Sequence, residues 1–201
     1  MANRKYAVGC LVVVLVLGLM AAVYVTGLYN SLVGLDQKVQ AQWGQVENVY
    51  QRRADLIPNL VETVKGAAAF EQDTFTAVTE ARAKVGQVQV NAGGLTPDAF
   101  AKFQEAQEGL SSALSRLLVV VEKYPELKAT ENFKELQAQL EGTENRITVE
   151  RMRFNETAQA FNTARNRFPA VLIAGFFGEK FKDKVYFKSA PGAETAPKVQ
   201  F

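Results

Sequence analysis

Apolar positions fall into two regimes along this chain. From Ala7 to Leu28 the run AVGCLVVVLVLGLMAAVYVTGL carries no charge and no polar alternation. As a helix it would reach about 33 Å at 1.5 Å per residue, against a hydrocarbon core of about 30 Å. The pattern therefore predicts a transmembrane helix. It is longer than the apolar region of a signal peptide, and Met20-Ala21-Ala22 is a poor cleavage site, so the segment is expected to stay on the chain.

After Leu28 the apolar residues recur at steps of three and four. Leu32, Leu35, Val39, Val46, Val49, Ile57, Leu60 and Val64, with Trp43 beside them, form one helical stripe approaching a heptad. The spacing predicts that the span continues into a first soluble helix ending near Gly66 and bent at Pro58. A second helix is predicted from Phe70 to about Val90, with Asn91-Ala92-Gly93-Gly94 as a loop. Thr96-Pro97-Asp98 reads as the start of a third helix, threonine as N-cap and proline at the first helical position, which Pro125 would end. A fourth is expected to start near Asn132, with Glu135 as its capping partner. Its stripe includes Ile147, Phe154, Phe161 and Phe168 at intervals of seven, which favours near-parallel, left-handed packing.

The predicted fold is all-α: an N-terminal transmembrane helix continuous with an antiparallel four-helix bundle of long helices, followed by a short irregular or β-like tail. The chain divides into residues 1–6 as an N-terminus, 7–28 as the span, 29–168 as the helical bundle, and 169–201 as an apolar and basic C-terminal segment. The stripes are expected to form the bundle core. Some of their surface is left open to pairing with neighbouring subunits, since the first and fourth helices are long enough to overhang a compact bundle.

Composition narrows the chemistry. The chain has no histidine and one cysteine, Cys10, inside the apolar run. A Cys/His metal site, a Ser-His-Asp triad and a Cys-His dyad are excluded by residue count, and no intrachain disulfide can form. Ala7-Val8-Gly9-Cys10 has the look of a lipidation box, but the apolar stretch follows the cysteine instead of preceding it. The net charge of +2 is small and spread along the chain, which argues against nucleic acid. No cofactor and no metal are expected, and no nucleophile–base pair can be nominated, so the chain is not expected to be an enzyme. Arg4, Lys5 and the amino terminus precede the span and only Lys38 follows it closely, so the positive-inside rule places the N-terminus in the cytoplasm and the body outside.

Two groups of residues are candidates for specific contacts. Arg52, Arg53 and Asp55 lie in the first helix, and Glu144, Arg146, Glu150 and Arg151 in the fourth. They read either as solvated helix surface, with ion pairs worth a few tenths of a kcal/mol, or as acids and cations that meet between helices or subunits and set register. In the C-terminal segment, Phe176, Phe177, Lys180, Phe181, Lys182 and Lys184 mix aromatics with lysines. That mixture suits an anionic membrane surface, and it suits equally a tail that folds back to cap the bundle.

Several motifs together resemble the LemA family. They are Tyr29-Asn30-Ser31-Leu32-Val33 after the span, the twelve residues Gln51-Arg52-Arg53-Ala54-Asp55-Leu56-Ile57-Pro58-Asn59-Leu60-Val61-Glu62, and Tyr124-Pro125-Glu126-Leu127-Lys128. Glu141-Gly142-Thr143-Glu144-Asn145-Arg146-Ile147 matches a second signature, and Phe154-Asn155, Phe161-Asn162 and Phe168-Pro169 follow in the expected order. Phenylalanine at 154 and 161 stands where tyrosine is common in the family. The likeness covers nearly the whole chain. It implies a bacterial, membrane-anchored helical protein in the cytoplasmic (inner) membrane. Some relatives are linked to magnetosome membranes and others are encoded near membrane proteases. The expected function is a non-enzymatic scaffold that self-associates at the bilayer and organises membrane or envelope proteins. The alternative is an adaptor or sensor for a membrane protease or other envelope partner, and an enzyme with a non-histidine mechanism is a distant third.

Overall fold

The apolar run and the stripe behind it form one element. In the computed structural model, which describes residues 2–65, 72–88, 90 and 95–188, helix α1 runs unbroken over Ala2–Lys65. Every backbone group inside an apolar span must find its partner within the segment, which a helix alone achieves for a single pass. Thr26 Oγ1 adds a bond to Ala22 O at 2.8 Å. Pro58 lies inside α1, which continues past it to Lys65. Among the described residues α1 holds the one stretch long and apolar enough to cross a membrane, and no part of that window is buried within the chain.

The remaining elements are α2 (Gln72–Gln87), α3 (Pro97–Val121), α4 (Pro125–Ala129), α5 (Glu131–Asn166), α6 (Ala170–Phe177) and a 3-10 turn (Gly178–Phe181). There is no β-strand among the described residues. The start of α3 follows its sequence signal: Thr96 is extended, its Oγ1 accepts from Ala99 N at 3.2 Å, and Pro97 occupies the first turn. The expected loop at residues 91–94, and Phe70 at the expected start of the second helix, lie outside the described residues.

The chain separates into two compact units, each described by itself. One comprises Met1–Val39 and Thr157–Lys184, the other Gln40–Glu156 and Val185–Phe201. In the second, Ile57, Leu60 and Val64 of α1 share a core with Phe75 and Val78 of α2 and with Leu110, Leu114 and Leu117 of α3. Leu127 of α4 and Phe133 and Leu140 of α5 complete it. At its other end an aromatic group surrounds the fully buried Trp43, whose ring lies 5.2 Å from Phe103, 5.5 Å from Phe154 and 6.1 Å from Phe187. Trp43 Nε1 donates to Val90 O at 2.9 Å. In the first unit, Phe161 and Phe181 are fully buried and Tyr29 packs against Phe177 and Phe181 at 4.9 and 5.5 Å.

Three expectations are corrected. The long helix begins at Glu131, near Asn132 as expected, but Asn132 is not its cap. Pro125 opens the short helix α4, and Thr130 stands between α4 and α5, donating to Leu127 O at 2.8 Å and accepting from Phe133 N at 3.4 Å. A proline at the first turn costs no hydrogen bond, so it can start a helix as readily as it stops one. Phe168 does not belong to the buried stripe of the long helix, because α5 ends at Asn166 and Phe168 is 81% exposed. The residue before a proline is pushed out of the helical region by the proline ring, so Pro169 ends the heptad run. The segment after Pro169 is not irregular from its start. It is helical through Phe177, and Gly178, at φ 45°, lets the chain turn out of α6. Residues 182–188 carry no regular secondary structure.

Candidate functional site

The polar centre of the Gln40–Glu156 unit is Arg53. Its position on α1 continues the apolar stripe, between Val46 and Tyr50 on one side and Ile57 and Leu60 on the other, so helix geometry carries the side chain inward, where it is 1% exposed. Nη1 donates to Glu144 Oε1 of α5 at 2.8 Å and to Ser111 Oγ of α3 at 2.9 Å. Nη2 donates to Gln107 Oε1 and to Gln107 O at 3.3 Å. The guanidinium also lies 5.1 Å from the centre of the Tyr50 ring. A buried cation is tolerated only when its donors are satisfied, and here α3 and α5 supply the acceptors. Nε is the exception: it has no partner among the described residues.

Beside this centre a cavity of about 410 Å³ is lined by Glu47, Tyr50, Arg82, Val85, Phe103 and Gln107 among others. Burial pushes the Glu47 carboxyl above its ordinary value, with the nearby Trp43 indole N–H dipole acting the other way. Burial also raises the Tyr50 phenol, against the opposing pull of the Arg151 and Arg53 charges. Arg82 Nε donates to Ala54 O at 3.1 Å. Among the described residues no group of three Cys, Asp or Glu could hold a metal.

The other charged candidates are distributed around this centre. Glu150 accepts from Gln42 Nε2 at 2.6 Å and pairs with Arg153 at 2.8 Å. Arg151 donates to Lys188 O at 2.8 Å and stacks over the Phe187 ring at 4.7 Å. Arg52, Asp55 and Arg146 are exposed, with Asp55 accepting from Gln51 Nε2 at 2.8 Å. Of the residues expected to set register, Arg53 and Glu144 meet between helices of the same chain.

The C-terminal segment is held by two asparagines. In one unit Asn155 donates to Phe187 O at 3.0 Å and accepts from Phe187 N at 2.8 Å. In the other Asn162 donates to Lys184 O at 2.9 Å and accepts from Lys184 N at 2.7 Å. Each side-chain amide thus presents the donor–acceptor pair a neighbouring β-strand would offer. Of the aromatic and lysine set expected at a membrane surface, Phe176 is 85% exposed and Phe177 41%. Phe181 is fully buried, and Lys184 is bound to Asp36 at 2.5 Å. Those two are internal because the chain folds back over them. Lys180 donates to Tyr29 Oη, and Lys182 pairs with Glu179 at 2.6 Å on the surface.

The hydrogen-bonding roles of Gln107, Ser111, Asn155 and Asn162 are not among the sequence expectations, although the two asparagines stand in the motifs that carry the LemA resemblance. A signal existed for Gln107: it fills the gap between Phe103 and Leu110 in the α3 stripe, as Arg53 fills the gap before Ile57 in α1. Polar residues standing in register with an apolar stripe mark a buried polar centre.

The LemA family model matches residues 42–201. The chain is 28% identical over 186 residues to Magnetosome protein MamQ of Magnetospirillum gryphiswaldense, covering 83% of this chain and 67% of that protein. Similarity to Magnetosome protein MamQ 2 of Paramagnetospirillum magneticum is 27% with the same coverage. To Protein LemA of Metamycoplasma hominis it is 23% over 150 residues, 75% of this chain and 64% of that one.

Proposed function

Given that the chain belongs to the LemA family, we propose that it is a non-enzymatic, membrane-anchored scaffold that self-associates and organises membrane or cell-envelope proteins. The observation that carries this is the Arg53 centre. The most buried cation among the described residues has both terminal nitrogens engaged by α3 and α5, so its charge is spent on joining helices of the body. The shared core of α1, α2, α3 and α5 supports their assignment as an antiparallel four-helix bundle. Arg4 and Lys5 ahead of the span support an N-terminus in the cytoplasm of a bacterial cell, with the body outside the inner membrane.

Contacts between copies are assigned to the exposed charges Arg52, Asp55 and Arg146. On α5, Arg146 shares a face with exposed Val149 and Met152 at helical spacing. The test is mass photometry of the full chain in lipid nanodiscs and in mild detergent. A distribution of multimers supports the scaffold, and a strict monomer at all concentrations sinks it.

The second reading, an adaptor or sensor for a membrane protease or envelope ligand, is favoured by the open cavity beside Glu47, Tyr50 and Arg82. An Arg52→Glu variant that keeps its melting temperature and its oligomer, but loses a crosslinked envelope partner, would favour it over the scaffold.

A further inference from the structure

Helix α6 has an inverted distribution of side chains for a helix in water. Its inward positions are Ala170 and Ala174, four apart and 5% and 0% exposed. Its outward positions are Leu172 and Phe176, also four apart, at 64% and 85%. Phe168, immediately ahead of the helix, is 81% exposed. A helix folded against aqueous solvent would bury its largest apolar residues and expose its alanines, because the gain scales with the apolar area removed from water. Three large apolar side chains together outside call for an apolar medium.

The same unit says which medium. Phe168, Pro169 and Ala170 wall a cavity together with Tyr24, Leu28, Ser31 and Leu32 of α1. Tyr24 and Leu28 are the last turns of the apolar run, so α6 begins where that run ends. The apolar window of α1 is itself unburied within the chain.

We propose that α6 is a lipid-inserted wedge, with Phe168, Leu172 and Phe176 entering the bilayer boundary beside the point where α1 leaves it. This rests on the reading of α1 as a membrane span. Insertion is driven by apolar burial: Lys182 is paired with Glu179 and Lys184 with Asp36, and the charges of Lys180, which sits on Tyr29, and of the exposed Arg167 stand against three large apolar side chains. The apolar side chains lie only in the headgroup and upper acyl region, as for other interfacial helices.

The experiment uses the full chain with Cys10→Ala, which removes the one native thiol, and single cysteines introduced by Phe176→Cys, Leu172→Cys, Leu17→Cys or Lys182→Cys. Each is labelled with a nitroxide and reconstituted in phosphatidylcholine vesicles. Collision rates with dissolved oxygen and with a water-soluble nickel chelate are then compared. The expected result is an oxygen-dominated label at 172 and 176, shallower than at 17, and a chelate-dominated label at 182. Adding phosphatidylglycerol leaves the depth unchanged. Chelate-dominated labels at 172 and 176 with an oxygen-dominated label at 17 overturn the wedge while the span stands. A chelate-dominated label at 17 overturns both. Labels at 172 and 176 shielded from both reagents and broadened by spin–spin coupling assign the face to a second copy of the chain and overturn the lipid assignment. Insertion that appears only with phosphatidylglycerol overturns the apolar driving force.

Discussion

Arg53 of α1 and Gln107 of α3 meet through both oxygens of the glutamine, with the main-chain carbonyl 3.3 Å from Nη2. Because both residues are buried, at 1% and 5% exposure, neither can turn to water when the other is lost.

Substitutions around this centre should therefore rank by burial. Arg53→Ala removes a buried cation together with its packing and is expected to cost about 3 kcal/mol. Gln107→Leu strands a buried donor and should cost about 2 kcal/mol. Glu144 keeps 41% of its side chain exposed, so the solvent-screened loss in Glu144→Gln should be about 1 kcal/mol. Urea unfolding in detergent measures all three. A neutral Gln107→Leu, or a Glu144→Gln as costly as Arg53→Ala, would contradict the ranking.

Trp43 is the one tryptophan of the chain and is wholly buried among Phe100, Phe103, Phe154 and Phe187. Its emission should be blue-shifted and shielded from acrylamide. Trp43→Phe leaves Val90 O without its side-chain donor and opens space in the core, for an expected loss of about 2 kcal/mol. Phe187→Ala should shift the emission to the red by unroofing the indole. An unchanged spectrum would show that Phe187 does not cover it.

Each asparagine clasp consists of two hydrogen bonds, worth about 1 kcal/mol apiece. Asn155→Leu should speed amide exchange at Phe187 about tenfold or more, and Asn162→Leu should do the same at Lys184. Hydrogen–deuterium exchange followed by mass spectrometry reads both. Unaltered protection at Phe187 in Asn155→Leu would rule out the clasp as its source.

The raised phenol of Tyr50 makes a prediction about alkaline pH. In the unfolded chain the phenol ionises near its ordinary value of about 10, while in the folded chain burial holds its proton to higher pH. Between the two values the folded state binds more protons, so stability falls as pH rises through that window. Tyr50→Phe removes this contribution, and its melting temperature should decline less steeply than that of the parent above about pH 10. The raised Glu47 carboxyl acts in the same sense at acid pH: its contribution is lost as pH rises through the carboxylate range, and Glu47→Gln should flatten that part of the curve. Parallel curves for parent and variant would refute either assignment.

Much of the helical order was legible because its causes are local. A threonine followed by proline and aspartate carries its own capping chemistry, and α3 starts there. The uncharged run and the stripe behind it have no breaker between them, and α1 is continuous. What escaped has non-local or ambiguous causes. Pro125 can end one helix or begin another, and only Leu127 packing into the core shows that α4 forms. The run Ala170–Phe177 is apolar on every side, so no period distinguishes its inner alanines from its outer phenylalanine. At the polar centre, the adjacent Arg52 and Arg53 read either as solvated surface or as partners of Glu144 between helices, and the sequence does not say which of the two arginines is buried. One hundred degrees of helix rotation separates a buried cation from an exposed one.

The two clasps bind the peptide groups at 184 and 187 and not the side chains those residues carry. The amide and carbonyl are the same for almost any residue, so the clasps add a sequence-independent hold to the side-chain contacts of Lys184 with Asp36 and of Phe187 with Trp43. One residue is barred from both places: proline, which has no N–H to give. The stretch is thus held twice, through its backbone by the two asparagines and through the side chains of Phe181, Lys184 and Phe187 by the helices they touch.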